Sequence, residues 1–369
     1  MTSKNTPNSP SPDTTGTSDI GFFDQMRQFW KSLHTSQAHR SLSLFSAMMM
    51  TIILTTTYMQ VTLNRWNAPF YQAIQDRDLD SFIGQLIIFA YIAAALTILN
   101  VTQTFVSKRL SISIRRGLVS DLLEKWLIDN GGRELHLLGS PLAEHADQRI
   151  HSDVRSLAET TTGLAVGLVQ SVILLASFVT ILWTLSPEFQ FNVLNYDFIL
   201  PGYLVWAALF YAGLTSGLNR LVGRHLVELN SLREAREAEF RTSLVQADMA
   251  LHANRPSSES DEAITFKTTL TFAALLDALK RIAVAETNLV WVSGGFGWLA
   301  IVVPIIAAAP AYFSGNLDFG GLMMAVGAFN QVHGGLRWNV NNFLAIAEWK
   351  AHLARVTQFR KALTILSVQ

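Results

Sequence analysis

The 369-residue sequence contains no cysteine, which excludes disulfides, thiolate metal sites and a cysteine nucleophile. Charge is scarce as well: 28 Lys and Arg balance 28 Asp and Glu, and charged residues make up 15% of the chain. A soluble domain carries roughly 25%. With a formal net charge of zero, no nucleic acid or other polyanionic partner is implied. There is no Gly-Lys dipeptide, so no P-loop is expected, and the HExxH and GxSxG patterns are missing too. Histidines and carboxylates do not cluster at metal spacing. Neither catalysis on a soluble substrate, nor a metal, nor a cofactor is therefore expected. A secretory signal is also lacking, since residues 1–19 are rich in Ser, Thr, Pro and Asn and no apolar run begins before Leu42. Such a stretch cannot offset the entropy of ordering, and 1–19 reads as a disordered leader.

What the sequence has instead is apolar bulk. Half of it is hydrophobic, and its mean hydropathy is +0.27. The apolar residues come in blocks, not at helix or strand periods. Six blocks approach the roughly 20 residues a spanning helix needs: 42–63, 82–107, 160–185, 198–219, 284–310 and 319–345. Pro304 and Pro310 should bend or end the fifth. Asn330, Gln331, His333 and Arg337 interrupt the last, which should face protein or a water-filled cavity. Basic residues mark the cytoplasmic side. If the first helix starts inside, Arg65 and Arg77 are the basic residues left outside, while Lys108, Arg109, Arg115 and Arg116 abut the inner end of the second span and Arg220 and Arg224 that of the fourth. Both termini are then cytoplasmic.

The two inner connections, 108–159 and 220–283, are long and the outer ones short. Both long connections read as helical. Between 220 and 252, Leu226, Leu229, Ala235, Ala238 and Leu244 recur beside Glu228, Arg233, Glu237 and Arg241 at helical spacing. The spans should continue into the cytoplasm and turn near Gly131-Gly132 and near Asn254-Arg255-Pro256-Ser257. The expected fold class is an all-α membrane protein of six spans with long cytoplasmic extensions.

Four motifs occur in order along this frame. The first runs from Leu63 through Asn64, Trp66, Phe70, Tyr71, Ile74 and Gln75; the second is Asp147-Gln148-Arg149-Ile150 with Asp153; the third is Glu237-Ala238-Glu239-Phe240-Arg241; the fourth runs from Gly334-Gly335-Leu336 through Asn341 or Asn342 to Glu348 and Arg355. Together with the helix layout they resemble the SbmA/BacA-like peptide transporters and the membrane half of their ABC relatives, which include bacterial cobalamin importers and peroxisomal fatty-acyl half-transporters. The likeness covers about residues 60 to 358, and it implies an ABC-exporter type transmembrane domain over 20–360, with 361–369 as a tail. Two departures stand out: these residues carry no ATPase motif, and 246–270 lacks the Asn-Ala-Glu and Gly-Gly-Glu pattern of the ABC branch. Ser293-Gly294-Gly295-Phe296-Gly297 superficially looks like an ABC signature loop, but its apolar setting points to close helix packing by small residues.

The resemblance implies a homodimer in a bacterial inner membrane that moves a peptide, a cobalamin-like molecule or a fatty-acyl compound by alternating access. Tyr58, Gln60, Asn64, Trp66, Asn330, Gln331 and Asn341 are candidates to line the path. Asp147, Gln148 and Arg149 would form a cytoplasmic coupling element, because residues two apart on a helix serve neighbours and not each other. Without an ATP site in the sequence, a proton gradient is the expected drive, and carboxylates at the membrane are its usual carriers. Glu159, Glu286 and Glu348 are the candidates, with Asp277 further inside and His333 as a second relay near neutral pH. The alternatives are a permease subunit that docks a separate ATPase chain through its helix tips, a truncated or split half of an ABC transporter, or a membrane scaffold or sensor that transports nothing.

Overall fold

A computed structural model of the chain describes residues 21–35, 39–128, 131–137, 146–186, 189–193, 196–252 and 258–366. The expected leader, the turn at 254–257 and the last residues of the tail lie outside them. Helix α1 spans Phe22–Thr35, α2 His39–Gln75 and α3 Leu79–Leu123, the last running on into a π-helical turn at Glu124–Ile128. Short helices α4, Gly131–Leu137, and α5, Ala146–Gln148, lead through a second π turn at Arg149–Asp153 into α6, Val154–Leu185. A hairpin of β1, Phe189–Val193, and β2, Tyr196–Leu200, precedes α7, Tyr203–His252, and α8, Ser258–Phe313. The chain closes with α9, Phe319–Leu336, α10, Trp338–Asn341, and α11, Phe343–Leu366.

The all-α expectation holds apart from the small hairpin. The two strands pair antiparallel, from Phe189 with Leu200 to Val193 with Tyr196. The hairpin moves the start of the fourth span from 198 to 203. The fifth span keeps its helix through both Pro304 and Pro310 and ends at Phe313, because a proline removes one backbone donor and neighbours can absorb that loss. The sixth does not run unbroken from 319 to 345: α9 stops at Leu336, and the chain makes a short turn and restarts at Phe343. The long extensions are as expected, α7 and α8 having 50 and 56 residues.

By length and composition, four stretches among the described residues can cross a membrane: His39–Gln75, Leu79–Ile128, Ala146–Leu185 and Glu262–Phe313. The fourth and sixth expected spans fall short because Asn219 and Arg220 cut the apolar part of α7 early and Asn330, Gln331 and His333 lower the hydropathy of α9. Large apolar side chains on these helices are open, among them Tyr91 at 75%, Val101 at 66%, Trp291 at 78% and Trp298 at 76% exposure. Surface of this kind needs lipid or another protein against it. Several hydroxyls inside the spans are satisfied locally: Thr51, Thr55, Thr97, Thr102 and Thr104 each donate to the carbonyl four residues back, whereas the buried hydroxyls of Thr56 and Thr57 have no partner among the described residues.

The chain divides into two compact units, one of residues 1–60, 90–173 and 341–369, the other of 61–89 and 174–340. The core of the first joins Phe29 and Leu33 of α1, Leu110, Ile114, Leu118 and Leu122 of α3, Val154 and Leu157 of α6, and Leu353, Val356, Phe359 and Leu363 of α11. A smaller cluster, Met49, Ile52, Ile53 and Val106, packs α2 on α3. The second unit is built on Phe178 and Leu182 of α6, Leu204, Ala208 and Tyr211 of α7, Ala308 of α8, and Ala325, Ala328, Phe329 and Val332 of α9.

Within the second unit, α2 turns into α3 in three residues. Arg77 adopts a left-handed φ of 56°, and the Asp78 amide returns to the Ala73 carbonyl at 3.0 Å, a helix-ending closure. Asp78 then caps α3, accepting from the amides of Asp80 and Ser81 at 3.1 Å each and from the Ser81 hydroxyl at 2.6 Å. These bonds, the Ser81 hydroxyl foremost, hold its carboxyl below the ordinary value of 3.8.

Candidate functional site

The second and fourth motifs meet in the first unit. The π turn at Arg149–Asp153 rotates Ile150 and Asp153 inward, and Asp153 is only 6% exposed. An ionised carboxylate there needs partners. Two come from α11: His352 Nδ1 lies 2.9 Å from Asp153 Oδ1, and Arg355 Nε donates to both oxygens at 3.2 and 3.1 Å. The same His352 Nδ1 is 2.9 Å from Arg355 Nη2. With a proton on Nδ1 the imidazole donates to Asp153, and without one it accepts from the guanidinium. Asp153 and Arg355, 202 residues apart, thus close the second motif on the fourth.

Two further contacts tie α11 to its neighbours. Arg360 forks onto Asp121 of α3 at 2.6 and 3.2 Å, with Lys125 at 3.4 Å from the same carboxylate. Such a two-bond pair fixes orientation as well as charge. Trp349 Nε1 donates to Thr161 Oγ1 of α6 at 2.8 Å. That bond lies beside Glu348 and two residues beyond Glu159, and both carboxylates are exposed on their helices. Of the coupling element, Arg149 sits over the Phe359 ring at 5.8 Å, while Asp147 and Gln148 point outward. Asp147 and Arg149 serve different surroundings, in line with their spacing.

The first motif works differently, in the second unit. Asn64 is 5% exposed and donates from Nδ2 to the Met324 carbonyl of α9 at 3.2 Å. A Cβ on Gly327 would collide with Asn64 Oδ1, and one on Gly320 with the Ala68 carbonyl. The two glycines, seven residues apart, let α2 and α9 approach backbone to backbone. Trp66 donates from Nε1 to the Gln85 carbonyl at 2.9 Å and stacks on Phe70 at 4.5 Å, with Phe89 at 5.0 Å. The motif joins α2 to α3 and α9.

His333 faces the interior of this unit, 8% exposed, with its ring 4.9 Å from that of Tyr211. Tyr211 in turn donates to the Phe296 carbonyl at 2.5 Å. Among the described residues, Nε2 of His333 and Nε of Arg337 are buried without a hydrogen-bond partner. On the other face of α9, Asn330 and Gln331 are exposed. Glu286 and Asp277 are exposed on α8, Asp277 holding Arg281 at 2.8 Å. Tyr58 and Asn341 are exposed in the first unit, whereas Gln60 is half-buried with its Oε1 enclosed and unpartnered there.

The third motif lies on a solvated face of α7. Glu237 and Glu239 pair with Arg233 and Arg236 at 3.7 and 2.7 Å, and Phe240 meets Phe272 of α8 at 5.2 Å. The glycines at 294, 295 and 297 do not support close packing within the chain: a Cβ at any of them meets nothing within 4 Å. Their faces are open because α7 packs elsewhere on α8, as at Tyr211 and Phe296. Among the described residues, no group of three His, Asp or Glu could hold a metal ion.

Very long, mostly apolar helices with charged extensions, and polar locks confined to a few helix crossings, define a multi-span membrane domain of the transporter class. The chain belongs to the ABC transporter transmembrane region 2 family, whose model matches residues 33–251. It is 25% identical over 341 residues to the inner membrane ABC transporter ATP-binding protein YddA of Escherichia coli, covering 91% of this chain and 59% of that protein. It is 27% identical over 339 residues to the chloroplastic ABC transporter D family member 2 of Arabidopsis thaliana, covering 92% and 45%. An uncharacterised ABC transporter ATP-binding protein of Synechocystis is 24% identical over 303 residues, covering 79% and 42%. The chain thus spans about half the length of these relatives.

Proposed function

We propose that the chain forms the translocation pathway of a proton-coupled transporter, acting as a homodimer that moves peptides or similarly bulky solutes across a bacterial inner membrane by alternating access. The observation that carries the coupling is the Trp349–Thr161 bond, which brings the Glu159 and Glu348 segments of α6 and α11 together. Two carboxylates on locked helices near a bilayer boundary can exchange a proton with solvent and respond to burial when the helices move. The open apolar surface of the spans supports dimerisation, since the spans of one chain alone enclose little room for a bulky solute. Tyr58, Asn330, Gln331 and Asn341, all exposed, are the path residues that a cavity between two copies could reach.

A second reading rests on the names of the relatives, which are ATP-binding proteins about one and a half to two times as long as this chain. In that reading an ATPase segment or subunit drives the same pathway, and the exposed Asp147 and Gln148 meet it. One experiment separates the two. Purified chain in nucleotide-free liposomes, given a proton gradient and a labelled proline-rich peptide, should accumulate the peptide, and a protonophore should abolish uptake. Glu159→Gln and Glu348→Gln should lower uptake about tenfold or more without loss of the folded dimer. Uptake that ignores the gradient, or none beside an active proton-driven control, overturns the proton reading.

A further inference from the structure

A cation stands at the C-terminal end of α9 without an anion. Arg337 caps the helix and keeps its register, its amide closing on the His333 carbonyl at 3.2 Å. At about 100° per residue, it falls at the border between buried His333 and exposed Asn330 and Gly334. Its side chain is half-buried, and its enclosed Nε bonds to nothing among the described residues. The Nε2 of His333, on a residue 8% exposed, is equally unpartnered. The charge of Arg337 acts on the His333 ring and on Tyr211 of α7, whose hydroxyl proton goes to the Phe296 carbonyl.

Neither ring can neutralise a guanidinium, and no acid is placed to do so. Segments 203–227, 287–313 and 319–336 contain no Asp or Glu. Asp318 caps the other end of α9, accepting from the Gly321 amide at 2.6 Å, about 28 Å away along the axis. Among the described residues Arg337 enters no ion pair. Arg360 shows the contrast, gripping Asp121 through Nε and Nη2 at 2.6 and 3.2 Å. A charged side chain among apolar helices is costly unless paired, and such residues mark substrate pathways. The C-terminal end of a helix favours a cation, which holds Arg337 in place and leaves its donors unused. The approach is open as well, since a Cβ on Gly334 would meet nothing within 4 Å. We infer that Arg337 is a carboxylate-binding subsite of the translocation path, entered past Gly334 with the Asn330 amide beside it, and that it takes the C-terminal carboxylate of a peptide cargo. A guanidinium and a carboxylate meet in two parallel bonds, a geometry that Arg alone among cationic side chains supplies. The inference rests on the transport reading above and adds a specificity to it: the cargo presents a free acid.

Binding to the full chain in phosphatidylcholine nanodiscs, with no gradient, tests the subsite apart from transport. The probe is a tritium-labelled proline-rich peptide without Asp or Glu, made as the free acid and as the C-terminal amide. The acid should bind about tenfold more tightly. Arg337→Gln should remove that preference by weakening the acid alone, and Arg337→Lys should keep part of it, because the charge remains without the fork. Gly334→Leu retains Arg337 and fills the approach, which keeps the test sound if an Arg337 variant misfolds; it should weaken the acid about tenfold. Equal binding of acid and amide overturns the inference, and so does binding of neither. An acid preference that survives either Arg337→Gln or Gly334→Leu places the carboxylate elsewhere and also overturns it. Acid-selective binding without proton-driven uptake of the same peptide in liposomes upholds the subsite and overturns the transport reading.

Discussion

The two units solve the same problem, holding long helices in register, with opposite chemistry. The first uses charge: Asp153 and Asp121 are 9% and 11% exposed as side chains, and each holds a cation from α11. The second uses close approach: Gly320 and Gly327 admit the backbone and Asn64 of α2, and rings from Trp66 to Phe89 fill what remains. Buried ion pairs need additional hydrogen bonds to offset desolvation, and they fit helix extensions where water is near. Small residues and ring packing suit helices in lipid, where no hydrophobic force drives association. A family motif can therefore mark a join between helices, and the first and second motifs of this chain do.

The largest effect should come from breaking the charged join. Asp153→Ala leaves His352 and Arg355 without their anion, and removing one partner of such a group costs about 3 kcal/mol or more. Arg355 is 47% exposed and can recover water, which keeps the loss at the low end of the range. Thermal unfolding of the purified protein should show it, and Asp153→Asn should recover part, since the amide oxygen still accepts from Arg355. A loss below about 0.5 kcal/mol would mean that the join is a surface contact. Next is the close approach. Gly320→Ala forces a methyl onto the Ala68 carbonyl and should cost about 1–3 kcal/mol. Gly294→Ala, which meets nothing within 4 Å, is the control within the chain. Equal effects at the two glycines would remove the distinction between the units.

Much of this architecture was legible from the sequence, for a physical reason. A span of apolar residues and a belt of Lys and Arg each report a local requirement, so α2, α3, α6 and α8, and the long extensions of α3 and α7, stand where hydropathy and charge place them. The break after Leu336 is less local. His333 and Arg337 looked like polar interruptions of one helix, but the helix ends there, and His333 turns inward onto Tyr211. The pairing of Asp153 with Arg355, and of Asp121 with Arg360 across 239 residues, depends on topology that no spacing along the chain encodes. Arg355 belonged to the fourth motif and Asp153 to the second, so the residues were visible and their meeting was not. Helix α1 is absent from the sequence expectations because 14 residues with a polar average do not stand out by hydropathy; its signal is angular.

The smallest expected effect tests charge in the second unit, at Asp78. Its carboxyl lies outside the spans, and the bonds from the Ser81 hydroxyl, the Ser81 amide and the Asp80 amide all favour the ionised form, the hydroxyl most. The folded value therefore lies below the unfolded one, near 3.8. The cap's contribution is complete above the unfolded value and is lost as pH falls through the depressed folded value. Ser81→Ala removes the leading donor and brings the two values closer, while the Ser81 and Asp80 amides still favour the ionised form. At neutral pH it should alter stability slightly, by loss of the hydroxyl bond; below about pH 4 the difference between variant and parent should shrink, because protonated Asp78 gains less from that bond in either protein. A thermal-unfolding series from pH 7 to 3 on both proteins reads this directly. A gap that widens toward low pH would place the charge-dependent part of the α3 cap on a group other than Asp78.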